Sequence, residues 1–144
     1  MKIIRGISGL RSCSDVNSQA LDHEIDDRFS AGSVITVGAF DGLHKGHQAV
    51  LSHVVELARQ RGLPSIVLTL EPLPREYLAP HIAPPRLMSR REKCAVLGQL
   101  GIDYLLIIRF DEQISRLEPA EFVFDIIVDK LCCKHLIIGD DGKF

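Results

Sequence analysis

The sequence predicts an α/β fold: a doubly wound, Rossmann-like parallel sheet with helices on both faces. Two observations predict it. Short, wholly apolar runs rich in Val, Ile and Leu recur along the chain, and the segments between them carry apolar residues at helical spacing. Strands buried on both faces and alternating with amphipathic helices require right-handed crossovers and two helical layers.

The elements follow in order. After a short apolar start, MKIIRGISGL, residues 11–33 are polar and acidic, a composition that predicts a loop or insertion rather than a packed element. Ser33 to Gly38 (SVITVG) reads as the first strand. His47 to Gly62 reads as a helix, with Val50, Leu51, Val54, Val55 and Ala58 on one stripe and Gly62 closing it. Ser65 to Leu70 (SIVLTL) is the second strand. A Pro-rich connection leads to a helix over Ser89 to Gly101, with Ser89 as N-cap and Glu92 three residues on. Asp103 to Phe110 (DYLLIIRF) is the third strand. Glu118 to Cys132 is a helix with Pro119 in its first turn, and Lys134 to Gly139 is the fourth strand. The sequence ends five residues later, without the helix that would cover that part of the sheet, so the expectation is one domain over 1–144, cut short at its C-terminal end.

Composition narrows the function classes. With 46% hydrophobic residues, 25% charged and no apolar run near the ~20 residues a membrane helix needs, the chain reads as a soluble domain. The N-terminus lacks a signal-peptide pattern, and the expected location is the cytoplasm. A formal net charge of −2 leaves no general electrostatic footprint for nucleic acid or anionic lipid, so any phosphate must be bound locally. Cys13, Cys94, Cys132 and Cys133 show no CxxC spacing and read as buried free thiols.

In such sheets ligands bind beyond the carboxyl ends of the strands. That singles out Gly38 to Gly46, Glu71 to Met88 and the terminal GDDGKF. The first is the richest. Gly38, Gly42 and Gly46 let backbone approach a ligand or adopt positive φ, and the following helix offers unpaired N–H groups and a positive dipole end to an anion. His44 and His47, three apart on a first helical turn, share one face and reach one phosphate, where donated hydrogen bonds offset charge that builds during attack. Two bland readings compete: a direction-changing turn with solvated histidines, and a zinc site, which lacks a third ligand at metal spacing. The remaining histidines read as structural or surface residues. Neither GxxxxGK[ST] nor GxGxxG is present, so neither a P-loop kinase nor a dinucleotide dehydrogenase is indicated. Arg75, Arg86, Arg90 and Arg91 can face phosphate or form a solvated helix start, and the long loop from Pro72 to Pro85 suggests a lid.

The segment GAFDGLHKGH, with HxGH at His44 to His47, resembles the signature of the nucleotidylyltransferase superfamily, and in its longer form the FMN adenylyltransferase (FAD synthetase) module of bacterial bifunctional riboflavin kinase/FAD synthetases. TLEPLPREYLAP, the segment from Pro84 to Val123 and HLIIGDD extend the likeness over most of Val34 to Asp141. The resemblance implies transfer of AMP from ATP to the phosphate of FMN, giving FAD and pyrophosphate in riboflavin/FAD biosynthesis, with Mg2+ accompanying the substrate and no protein metal site. It implies that Gly38, Phe40, His44, Gly46, His47 and Asp141 hold ATP, with His44 and His47 catalytic. It implies that Glu71, Pro72, Pro74 and Arg86 border the flavin. No general base is needed, because the FMN phosphate is already a nucleophile at neutral pH. Leu70 and Gly142 stand where the family usually has Phe, and an (S/T)xxR segment and a β-barrel riboflavin kinase domain are expected outside these residues. Two alternatives stand beside this reading: a flavin- or nucleotide-binding module without catalysis, and a nucleotidylyltransferase for another phosphate acceptor. Oligomeric state is left open.

Overall fold

In the computed structural model, residues 1–10, 12–13, 28–43 and 45–139 are described. Five parallel strands form one sheet: β1 (Lys2–Arg5), β2 (Ser33–Val37), β3 (Ser65–Glu71), β4 (Tyr104–Arg109) and β5 (Cys133–Ile137), in the order β1-β4-β3-β2-β5. The helices are α1 (Lys45–Arg61), α2 (Pro74–Leu78), α3 (Arg90–Gln99), α4 (Glu112–Ser115) and α5 (Pro119–Phe122), the last continuing as a π-helical segment, Val123–Val128. The expected fold class is therefore the observed one.

The central strands are predominantly apolar because both of their faces are covered. Alternate residues feed two separate cores. On one face Val34, Val67, Leu105 and Ile107 pack beneath α1 and α3, meeting Leu51, Val54, Ala58 and Leu97. On the other, Ile35, Ile66, Leu68, Leu106 and Ile108 pack against Phe122, Ile126, Ile127 and Leu131. Strand order reverses at β2, with β3 on one side and β5 on the other, so the loop that leaves β2 sits at the switch point of the sheet, where open α/β sheets bind ligands.

The structure differs from the sequence-based expectation in several places. β1 is a strand, not merely an apolar start; its four residues occupy the sheet edge and pair with β4 from Lys2↔Tyr104 to Arg5↔Ile107. The stretch from 11 to 33 lies mostly outside the described residues, but its end is packed: Phe29 is buried and meets Tyr104 edge to face at 5.1 Å. The helix expected over Glu118 to Cys132 turns to π geometry, with Asp129 N–H donating to the Phe124 carbonyl and Leu131 N–H to that of Ile126, each five residues back. Finally, Cys13 and Cys132 are joined in a disulfide with their Cα atoms 5.7 Å apart, correcting the reading of four free thiols. The crossover brings residues 119 apart in sequence together, which no local spacing reveals. Cys94 and Cys133 are free and half-buried.

At the amino ends of β3 and β4 the Asp103 carboxylate accepts hydrogen bonds from Ser65 N–H at 2.9 Å and Ser65 Oγ at 3.0 Å, while Asp103 N–H donates to Ser65 Oγ at 2.9 Å. Asp103→Ala leaves the buried Ser65 with unsatisfied donors and is expected to lower stability by about 1–3 kcal/mol, read as a reduced urea midpoint with an unchanged slope.

Candidate active site

β2 ends at Val37, and the chain turns sharply before α1. Three residues of this turn have left-handed backbone: Phe40 at φ 49°, Gly42 at φ 80° and Leu43 at φ 40°. Only the glycine adopts this without cost; the Phe40 and Leu43 side chains are buried in the core beneath α1. A Cβ on Gly38 would lie 2.9 Å from the Phe40 ring, so Gly38 is needed to admit that ring. The ring in turn meets the His47 imidazole edge to face, with centroids 5.3 Å apart. Phe40 thus supports the histidine from below instead of lying open to a ligand.

Tethers from distant elements hold the turn. The Asp41 carboxylate accepts from Leu87 N–H, at 2.8 and 3.0 Å to its two oxygens. Gln48 donates from its side chain to the Leu43 carbonyl at 3.0 Å. Lys93, buried in α3, donates from Nζ to the Ala39 carbonyl at 2.6 Å. Burial pulls the Lys93 ammonium below the usual lysine range, Arg86 pushes the same way, and Glu71 and Asp41 oppose.

Beside this turn a cavity of about 620 Å³ opens at the carboxyl ends of β2, β3 and β4. Val37, Leu70, Leu73, Pro74, Phe110, Leu117 and Phe122 give it apolar walls, and Gly38, Ala39 and Asp41 of the turn form one side. The connection expected to be an irregular Pro-rich loop contains α2 and packs Tyr77 edge to face on Phe110 at 5.3 Å. Arg86 lines the cavity, yet its guanidinium is engaged: Nε donates to Glu76 Oε2 at 2.9 Å, Nη1 to Glu71 Oε2 at 3.1 Å, and Nη2 lies 2.8 Å from Glu71 Oε1. Arg86 therefore closes the rim through two carboxylates and is not poised as an open phosphate fork.

The Arg86 hydrogen bond holds the Glu76 carboxyl down to about 2, against an ordinary 4.5. A depressed carboxylate contributes stability above its ordinary value and loses it as pH falls toward the folded one. The stability difference between the wild-type chain and Glu76→Gln is therefore expected to shrink between roughly pH 4.5 and pH 2, as read from urea midpoints at each pH.

Of the residues singled out from the sequence, Gly38, Phe40, Gly46 and His47 come together where β2 passes into α1, while Pro74 and Arg86 meet in the cavity wall. Glu71 reaches the rim through its ion pair with Arg86, and Pro72 follows Glu71 in a cis peptide. His44 and Asp141 lie outside the described residues. The sequence reading missed Lys93. Its one signal is phase, because Lys93 falls four residues before Leu97 on the buried side of α3.

A model of the FAD synthetase family matches residues 26–144. The chain belongs to the FAD synthetase family. It is 39% identical over 144 residues to the bifunctional riboflavin kinase/FMN adenylyltransferase of Escherichia coli (strain K12) and 40% identical over 144 residues to that of Pseudomonas fluorescens. All of this chain is covered in both alignments, including the stretch read as an insertion, and it spans 41% of the length of each relative. A solved structure, a macrolide-efflux protein from Streptococcus pneumoniae, superposes with a TM-score of 0.72 at 24% identity, covering 100% of this chain and 50% of that one. That likeness is one of fold. No helix among the described residues of this FAD synthetase family member is long and apolar enough to cross a membrane.

Proposed function

We propose that this chain carries FMN adenylyltransferase activity, joining AMP from ATP to FMN in FAD biosynthesis. The observation that carries the reading is the shared turn: Gly38, Ala39 and Asp41 wall the apolar cavity and lead directly into the N-terminus of α1, where His47 stands. A flat tricyclic isoalloxazine suits apolar and aromatic walls, and a cavity of about 620 Å³ is of the size that holds such ligands. Nucleotide phosphates suit the helix N-terminus, whose N–H groups and dipole favour an anion.

In this reading a phosphate oxygen of FMN attacks the α-phosphorus of ATP, the bond to the bridging oxygen breaks, and pyrophosphate leaves with the electron pair. His47, with His44 beside it in sequence, donates hydrogen bonds to the phosphoryl oxygens as charge builds. Gly38 and Gly46 keep backbone close to the phosphates, Phe40 steadies His47, and Asp141 borders the nucleotide. Pro74 and Arg86, with Glu71 and Pro72 behind them, border the flavin. Magnesium enters with the ATP phosphates; among the described residues no group of three or more His, Cys, Asp or Glu is arranged to hold a metal ion. The expected place of work is the cytoplasm.

The test is FAD and pyrophosphate formation by the purified chain from FMN and MgATP, alongside a panel of other phosphate acceptors. FAD as the preferred product supports the reading. A different product reassigns the acceptor, and tight binding of FMN and ATP without turnover leaves a binding module.

A further inference from the structure

The Ala39 carbonyl belongs to the peptide unit whose orientation sets φ of Phe40, and that φ is 49°, a conformation costly for an aromatic residue. Lys93 Nζ donates to this carbonyl at 2.6 Å from a helix 54 residues away in sequence. The Phe40 ring so placed is the one that meets His47. We infer that Lys93 is a positioning residue for His47, acting through the Ala39–Phe40 peptide: it locks the left-handed turn that puts the Phe40 ring against the imidazole.

A lysine in such a position needs a reason. Lys93 is 6% exposed, and desolvating an ammonium is costly unless it answers a specific acceptor. The acceptor here is a backbone carbonyl at a strained turn, with the carboxylates of Glu71 and Asp41 near enough to favour the charge. Gly38, Phe40 and Leu43 fill the space around the turn but supply no hydrogen bond to that carbonyl; Lys93 does. Without it the Ala39–Phe40 peptide is free to rotate toward negative φ, carrying the ring away from His47.

The inference rests on the proposed function for its catalytic consequence, and its first readout does not. NOE contacts between the Phe40 and His47 rings of the purified chain are measured. In Lys93→Met these are lost, while the contacts between β3 and β4 stay as in the wild type. Should Lys93→Met fail to fold, Lys93→Gln, shorter and uncharged, is read in the same way. Wild-type ring contacts in either variant overturn the inference. The second readout is turnover: kcat for FAD formation falls about tenfold or more, KM values for FMN and ATP stay within about twofold, and Lys93→Arg recovers most of the loss. A Phe40→Leu, Lys93→Met double variant loses little beyond Phe40→Leu alone, because both act along one path. Strict additivity, or a loss confined to KM, overturns the link to His47. A wild-type chain that forms no FAD defeats the proposed function and leaves the ring-contact result standing.

Discussion

Replacing His47 by alanine is expected to lower kcat for FAD formation by about a hundredfold or more, the scale of loss when one preorganised donor to a developing oxyanion is removed. The KM for ATP changes far less, because the helix N-terminus and its N–H groups remain. Stability changes little: the imidazole is half-buried, and the buried parts of the turn, Phe40 and Leu43, keep their places in the core beneath α1. His47→Gln, which retains a donor, recovers part of the rate. Steady-state kinetics with both variants, beside their melting temperatures, check this. Turnover within about threefold of wild type in a folded His47→Ala chain removes His47 from the chemistry, since no electrostatic role at the reacting phosphorus is that small.

The logic of that expectation was legible in the sequence only in part. GAFDGLHKGH could be read as a glycine- and histidine-rich passage from strand to helix, because a short β-branched run and a long amphipathic stripe flank it. Gly38 yields to the ring of Phe40 and Gly42 takes a left-handed turn, so at least two of its three glycines serve the turn itself. The deciding contacts come from elsewhere in the chain. Asp41 is tied by Leu87 and Ala39 by Lys93, separations of 46 and 54 residues that no periodicity reports. Lys93 in particular carries no local sign of its role, since lysine is almost never buried without a partner and the partner here is a distant carbonyl. β1 escaped notice for the opposite reason: four residues at a sheet edge carry too little pattern to separate strand from loop. The central strands were legible because burial on both faces makes runs of them, Ile66 to Leu68 and Leu105 to Ile108, continuously apolar.

Leu68→Ala is expected to cost about 3 kcal/mol, lowering the melting temperature by roughly 10 °C, and to weaken FMN binding while sparing ATP. Leu68 is fully buried at the middle of β3, the central strand, in the core that also holds Ile35, Leu106, Ile108 and Phe122. Truncation leaves a void that the surroundings fill only partly. Phe122 and Leu70 pack on this same core and also wall the cavity, so side chains that relax toward the void withdraw from a ligand lying there. His47 and α1 rest on the opposite face, and the Leu68 carbonyl still accepts from Gly38 N–H at 3.1 Å, so the turn that serves the nucleotide is kept. Leu51→Ala, on that opposite face beneath α1, is the matching comparison: a similar loss of stability with the larger effect on ATP. Calorimetric Kd values for FMN and for ATP in both variants decide the matter. Equal weakening of the two ligands by Leu68→Ala would mean that the two cores do not serve the two substrates separately, and that the sheet responds to a lost side chain as one body.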